Sequence, residues 1–180
     1  LRFEVALAQA QARVGLIPAS AADTIEFSAQ SFIPDVRALE QEAALDASFA
    51  IPWVKSFTRH VATRSVDAAR YVHFGTTSQD ALDSALALCT RAALTKLDEL
   101  LARCANAALA LARQHARTPA LARTLMQPAG ITTIGLKAAQ WAHSLAQGRQ
   151  RLHTNAHSGL AVSLGGAVGN FAAHGEHGAE

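Results

Sequence analysis

From Asp80 to about Ala116 the sequence keeps apolar residues at Leu82, Leu86, Cys89, Ala93, Leu97, Leu100, Cys104, Ala108 and Leu111, in steps of three and four. That spacing is the heptad-like seam of one very long helix, and no Pro or Gly interrupts it before Pro119. A monomeric globule rarely needs such a helix. Its Ala-rich and Leu-rich faces predict a bundle of long helices, completed by other subunits. The expected fold class is all-α, with an N-terminal helical domain over residues 1–79 and part of a central helical bundle domain over residues 80–180.

Composition narrows the function classes. The 180 residues are half hydrophobic and 17% charged, with a formal net charge of +2. Disorder is excluded at that hydrophobicity, and frequent Ala favours close helix-to-helix approach. Lys and Arg are scattered among Asp and Glu, so nucleic acid is not the expected partner. The sequence has no signal peptide and no apolar run long enough to span a bilayer, so no membrane association and a cytoplasmic location are expected. Cys89 and Cys104 fall on the long helix about 22 Å apart, too far for a disulfide, and are expected to be ordinary buried thiols.

Ahead of the seam, short amphipathic helices are expected. The first carries Leu1, Val5, Ala8 and Ala12, and Gly15-Leu16-Ile17-Pro18 stops it. A second starts at Pro18, a third runs from about Asp35 to Ala50, and a fourth carries Trp53, Val54, Phe57 and Val61.

Between them and the long helix lies His73-Phe74-Gly75-Thr76-Thr77-Ser78-Gln79-Asp80. A helix start offers unpaired N–H groups and partial positive charge, which together attract anions. Two hydroxyls, an amide and an imidazole at that end could hold a carboxylate from several sides, so a small polycarboxylate is the expected substrate. A plainer reading competes with this one. Thr77 and Asp80 suit a capping box and Gly75 suits a turn, neither of which needs a substrate. Capping does not require the additional His, Gln and hydroxyls.

Two further segments stand apart from the helical pattern. Arg123-Thr124-Leu125-Met126-Gln127-Pro128-Ala129-Gly130 reads as a polar turn segment, with helix resuming near Thr132. Gly165-Gly166-Ala167-Val168-Gly169-Asn170 follows a short apolar extended piece, but neither the dinucleotide fingerprint nor the P-loop applies. His153 and His157 lie four apart without the Glu of a zinc-protease helix, and His174 and His177 lie near the end. All four are expected to be surface or capping residues. No metal and no cofactor are expected.

Taken together, His73-x-Gly75-x-Thr77-Ser78-Gln79-Asp80, Arg123-Thr124-x-x-Gln127-Pro128-Ala129 with Thr133-x-Gly135-Leu136-Lys137, and Gly165-Gly166-Ala167-x-Gly169 resemble the fumarase/aspartase superfamily in order and spacing. The resemblance implies a homotetramer in which each active site is assembled from three subunits. It implies Thr77, Ser78 and His73 as catalytic residues, and Gln79, Asp80, Arg123, Thr124 and Gln127 as substrate-binding ones. Adenylosuccinate and argininosuccinate lyases usually carry His where this sequence has Leu125. That apolar residue, Leu16-Ile17-Pro18 and Gly135-Leu136-Lys137-Ala138-Ala139 look like the 3-carboxy-cis,cis-muconate cycloisomerase branch. The implied reaction is intramolecular addition of a carboxylate to a conjugated diene, giving a carboxymuconolactone in the protocatechuate branch of the beta-ketoadipate pathway of aromatic catabolism. The superfamily's Gly-Ser-Ser-x-Met-Pro-x-Lys-x-Asn loop is not among these residues. A fragment of a longer protein is therefore expected, with the isolated chain inactive. Two alternatives remain beside this reading: an adenylosuccinate-lyase-like elimination enzyme of the same superfamily, and a helical scaffold without catalysis.

Overall fold

A computed structural model describes residues 1–179. Among them are α1 (Arg2–Arg13), α2 (Ala19–Ser31), α3 (Val36–Asp46), α4 (Ala50–Ala62), α5 (Val66–Ala69), α6 (Ser78–Gln114) and α7 (Ile134–Gly159). The strands β1 (Pro119–Thr124) and β2 (Gln127–Thr133) separate α6 from α7, and a 3-10 turn spans Gly175–Ala179. The fold is helical, as the apolar periodicity predicts. It divides into two compact units, Leu1–Ala87 together with the residues from Val162, and Leu88–Ala161.

In the first unit, Ile25, Phe57 and Val61 are fully buried, surrounded by Ala8, Ala21, Ala22, Ala68 and Ala69. Those small side chains let α1 and α5 approach α2 closely. Phe32, just beyond α2, meets Phe57 and Trp53 edge-on at centroid distances of 5.1 and 6.1 Å, which fixes α4 against the end of α2. Local chemistry sets the boundaries. Pro18 takes an extended conformation before α2, the Asp35 carboxylate accepts from Ala38 N at 3.1 Å, and Ser65 Oγ accepts from Ala68 N at 3.1 Å.

Three expectations change here. The third helix stops at Asp46 rather than Ala50, because Ala47 turns left-handed at φ 50°. The fourth starts earlier, at Ala50, with Pro52 in the first turn where its missing N–H costs nothing. Leu7 and Ala8 are buried on α1 as the apolar stripe predicts, but Glu4 and Gln11 are buried with them, so two polar side chains face the core.

The second unit is a helical hairpin made by α6 beyond Ala87 and by α7. Gly135 opens α7 hard against the end of α6, where an added Cβ would lie 2.6 Å from His115 O. Its own N–H donates to that carbonyl at 2.9 Å. Farther along, Arg149 clamps Asp98 through Nε and Nη2 at 2.7 and 2.8 Å, and His153 Nε2 adds a contact at 3.0 Å.

The segment read as a turn around Arg123–Gly130 is instead an antiparallel β-hairpin. Thr124 pairs with Gln127 across a two-residue loop, and the ladder runs to Pro119 and Thr133 with an irregularity between Leu121 and Arg123. Leu125 and Met126 both have positive φ, 48° and 65°, as a tight hairpin turn demands. Pro128 is tolerated because the two strands have only each other, which leaves its backbone edge without a neighbouring strand.

Cys89 and Cys104 are exposed, not buried, because this chain does not cover the α6 seam at those turns. Leu86, Leu97, Leu100 and Leu111 are likewise exposed. Among the described residues, no helix is long and apolar enough to cross a membrane.

The Asp98 clamp has a definite pH signature. Hydrogen bonding from Arg149 outweighs the opposing effect of burial and holds the Asp98 carboxyl below its ordinary value. A depressed folded value means that the clamp's contribution is complete above the ordinary carboxylate range and disappears as pH falls through the lowered value. The stability difference between the parent and Asp98→Asn should therefore persist through mildly acidic pH and close only in stronger acid. A difference that is flat across that range in chemical denaturation would rule the clamp out as a pH-linked element.

Candidate active site

The polar segment that opens α6 is anchored by Asp80. Its carboxylate is 4% exposed and takes four donors: Thr77 N at 3.1 Å and Gly166 N at 2.9 Å on Oδ2, Gly165 N at 3.1 Å and Ser163 Oγ at 3.4 Å on Oδ1. One turn later, Ser84 Oγ donates to Ser163 O and accepts from Ser163 N, both at 3.0 Å. Residues 163–166 are thereby fastened to the first two turns of α6. Two glycines make the approach possible. At Gly75 (φ +71°) a Cβ would lie 2.9 Å from the His174 ring, and at Gly166 (φ +75°) it would lie 2.9 Å from Gly75 O. A cleft of about 170 Å³ opens beside this junction, lined by residues that include Gly75, Thr76, Gly166 and Asn170.

Thr77 serves as only half of a capping box. Asp80 accepts from Thr77 N, but neither the Thr77 nor the Ser78 hydroxyl bonds a described residue. The N–H groups of Ser78, Gln79 and Asp80 also lack partners among the described residues, as a helix start implies. Gln79 is exposed, with its amide donating to Asp83 at 2.6 Å.

His73 lies in the left-handed region at φ 59°, and its Nδ1 meets Glu4 Oε1 at 2.8 Å. Beside it, Gln11 Nε2 donates to Phe74 O at 2.7 Å and lies 3.0 Å from His174 Nε2. An amide nitrogen only donates, so the neighbouring His174 Nε2 accepts and the ring proton belongs on Nδ1, which is buried without a partner. His174 is 4% exposed and closes the loop from beneath, which corrects its reading as a surface or capping residue.

Arg123, Thr124 and Gln127 belong to the second unit. They stand exposed around the hairpin turn, and Arg123 lines a cleft of about 310 Å³ with Thr132, Leu136, Lys137 and Gln140. Leu125 is 96% exposed, so within this chain it walls no pocket. Among the described residues no group of three or more His, Cys, Asp or Glu is placed to hold a metal.

Sequence reasoning passed over Glu4, Gln11, Ser84 and His174. A usable signal existed for the first two, since Glu4 and Gln11 sit seven apart on the same face as Leu7 and Ala8. Ser84 follows Asp80 by one turn. The role of His174 depends on a chain reversal and left no local trace.

A family profile described as a lyase matches residues 1–179. The chain is 46% identical to a 3-carboxy-cis,cis-muconate cycloisomerase of Bradyrhizobium diazoefficiens over 99% of its length and 40% of the relative's. It is 44% identical to a nitrosuccinate lyase of Streptomyces davaonensis over 97% of its length and 36% of that protein's. Among solved structures, the beta-carboxy-cis,cis-muconate cycloisomerase of Acinetobacter calcoaceticus superposes with a TM-score of 0.95 at 41% identity, covering 98% of this chain and 41% of that one. The chain therefore spans about two fifths of the length of the relatives it matches.

Replacement of Asp80 by Asn should loosen the junction. Both carboxylate oxygens receive backbone N–H groups, so an amide placed either way sets NH2 against a donor and forfeits charge-assisted bonds, at a cost of about 2–3 kcal/mol. Hydrogen exchange at the Gly165 and Gly166 amides should accelerate. Unchanged exchange in Asp80→Asn would show that the loop is held by something else.

Proposed function

The chain belongs to the lyase family typified by fumarase and aspartase, and from that premise we propose that it is part of a 3-carboxy-cis,cis-muconate cycloisomerase. The observation that carries the reading is the start of α6. There two hydroxyls and the first helix amides stand without partners among the described residues, next to His73, in a chain 46% identical to such an enzyme. In this proposal one substrate carboxylate attacks a conjugated carbon and forms the lactone C–O bond. The π electrons pass toward the carbon next to another carboxyl group, which gathers negative charge until that carbon takes a proton.

Thr77, Ser78 and the helix amides suit stabilisation of that charge, with each preorganised donor contributing on the order of 3 kcal/mol. His73 binds a carboxylate or assists proton transfer. Gln79 and Gln127 orient the remaining carboxyls, Arg123 pairs with one, and Thr124 flanks it. Asp80, fully occupied by its four donors, acts by holding the loop rather than by touching substrate. No cofactor enters this scheme. Leu125 in place of His supplies an apolar wall that suits a flat conjugated diene, once another part of the assembly covers it. The protein would be cytoplasmic and serve the protocatechuate branch of aromatic catabolism.

The complete protein should lactonise 3-carboxy-cis,cis-muconate, followed as loss of the diene's ultraviolet absorbance, and leave adenylosuccinate and argininosuccinate untouched. The likeness to the nitrosuccinate lyase supports a second reading, in which nitrosuccinate is the substrate. Consumption of nitrosuccinate with no lactone formed would decide for it. Thr77→Ala and Ser78→Ala should each slow turnover ~10²-fold, while stability shifts by no more than about 1 kcal/mol. Parent-like activity per folded molecule would return both residues to structure.

We also propose that the exposed seam of α6 packs against other copies in a homotetramer with shared active sites. Leu86, Leu97, Leu100 and Leu111 form a row of exposed apolar side chains of the kind that marks interfaces. Sedimentation of the complete protein should give a tetramer. A monomer across a wide concentration range would count against shared sites.

A further inference from the structure

Two buried carboxylates lie beside the start of α6, and they are treated in opposite ways. Asp80 is saturated, with both oxygens taken by four donors. Glu4, 2% exposed in the first turn of α1, has one partner, the Nδ1 of His73. Its Oε2 is buried with none among the described residues. A group that served only to tie α1 to the loop would gain by filling both oxygens, because an unmatched buried oxygen is costly. Glu4 leaves one empty and spends its single bond on an imidazole 69 residues away.

That imidazole is committed at one nitrogen only. His73 Nδ1 faces Glu4, whereas Nε2 has no partner among the described residues and is not sealed from solvent, the side chain being 15% exposed. The bond made by one ring nitrogen decides what the other can do. The charged and titratable surroundings are few. From α1 come Glu4 and the neutral Gln11; from the loop comes Asp80, held by its donors; from the returning residues comes His174, held by Gln11.

We infer that Glu4 is a positioning residue: it fixes the His73 ring proton on Nδ1 and so leaves Nε2 as the nitrogen that takes up a proton and passes it to the substrate carbon. This rests on the placement of His73 in the substrate site under the proposed function. The left-handed backbone at His73 is consistent with it, because the φ of 59° sets the side chain's exit direction and the Glu4 bond then fixes the ring.

Ring-nitrogen NMR of the complete protein at neutral pH, without substrate, should show His73 with the proton on Nδ1 and the lone pair on Nε2. In Glu4→Gln, whose amide can present either oxygen or NH2, both tautomers should be populated. There kcat/KM should fall at least about tenfold, with a changed pH profile. Glu4→Leu, which removes the acceptor together with the unmatched carboxylate oxygen, should lose activity to a similar degree. A wild-type His73 protonated on Nε2 would overturn the inference. So would full kcat/KM in Glu4→Gln beside an inactive His73→Asn, an outcome that leaves the site assignment standing. Full activity in His73→Asn would instead sink that assignment, and this inference with it.

Discussion

The first unit depends on how a single buried negative charge is satisfied. Asp80 cannot be sealed from water unless its oxygens find donors, and three of the four it finds are backbone N–H groups. Backbone donors cannot swing away as side chains can, so the charge dictates the path of the chain at Thr77, Gly165 and Gly166 together. The glycines follow from that requirement. With the loops this close, a Cβ at Gly166 would press on Gly75 O and one at Gly75 on the His174 ring. A helix start, a loop from near the other end of the sequence and a buried histidine are thus coupled through one carboxylate.

Around that anchor the site separates into groups that are used up and groups that are left open. Asp80 and Ser84 spend their hydrogen bonds on the fold, as does the amide nitrogen of Gln11. Thr77, Ser78 and the first amides of α6 keep theirs. Rigid support behind unspent donors is the arrangement that electrostatic stabilisation of a developing charge needs, because donors already in place require no reorganisation during the reaction.

What was legible in the sequence follows from the range of the interactions. The long helix was readable to within two residues, since a seam with no Pro or Gly is a local pattern. So was the contiguous motif at its start. The hairpin at 119–133 was not, because its turn uses Leu125 and Met126 where Gly or Asn would announce positive φ, and because Pro128 and Gly130 read as breakers. The fate of Asp80 was half legible. Its capping geometry lies three residues away, but its loop partners lie more than eighty residues on. Glu4 and Gln11 were hidden by the habit of assigning buried helix faces to apolar residues, and the cysteines by their place on a seam that this chain leaves uncovered.

The hairpin tip carries the argument further. Two non-glycine residues in left-handed conformation, both with apolar side chains and both above 90% exposure, are unfavourable in isolation on two separate counts. The ladder on either side holds the strained backbone, but no described residue covers the Leu and Met side chains at its tip. In the homotetramer proposed above, another copy would cover the tip and bury Leu125 and Met126 in the wall of a pocket. The neighbouring Arg123, Thr124 and Gln127 make no side-chain hydrogen bonds among the described residues. Polar groups left idle around an apolar, strained turn are what a binding segment looks like before the partner that completes it arrives.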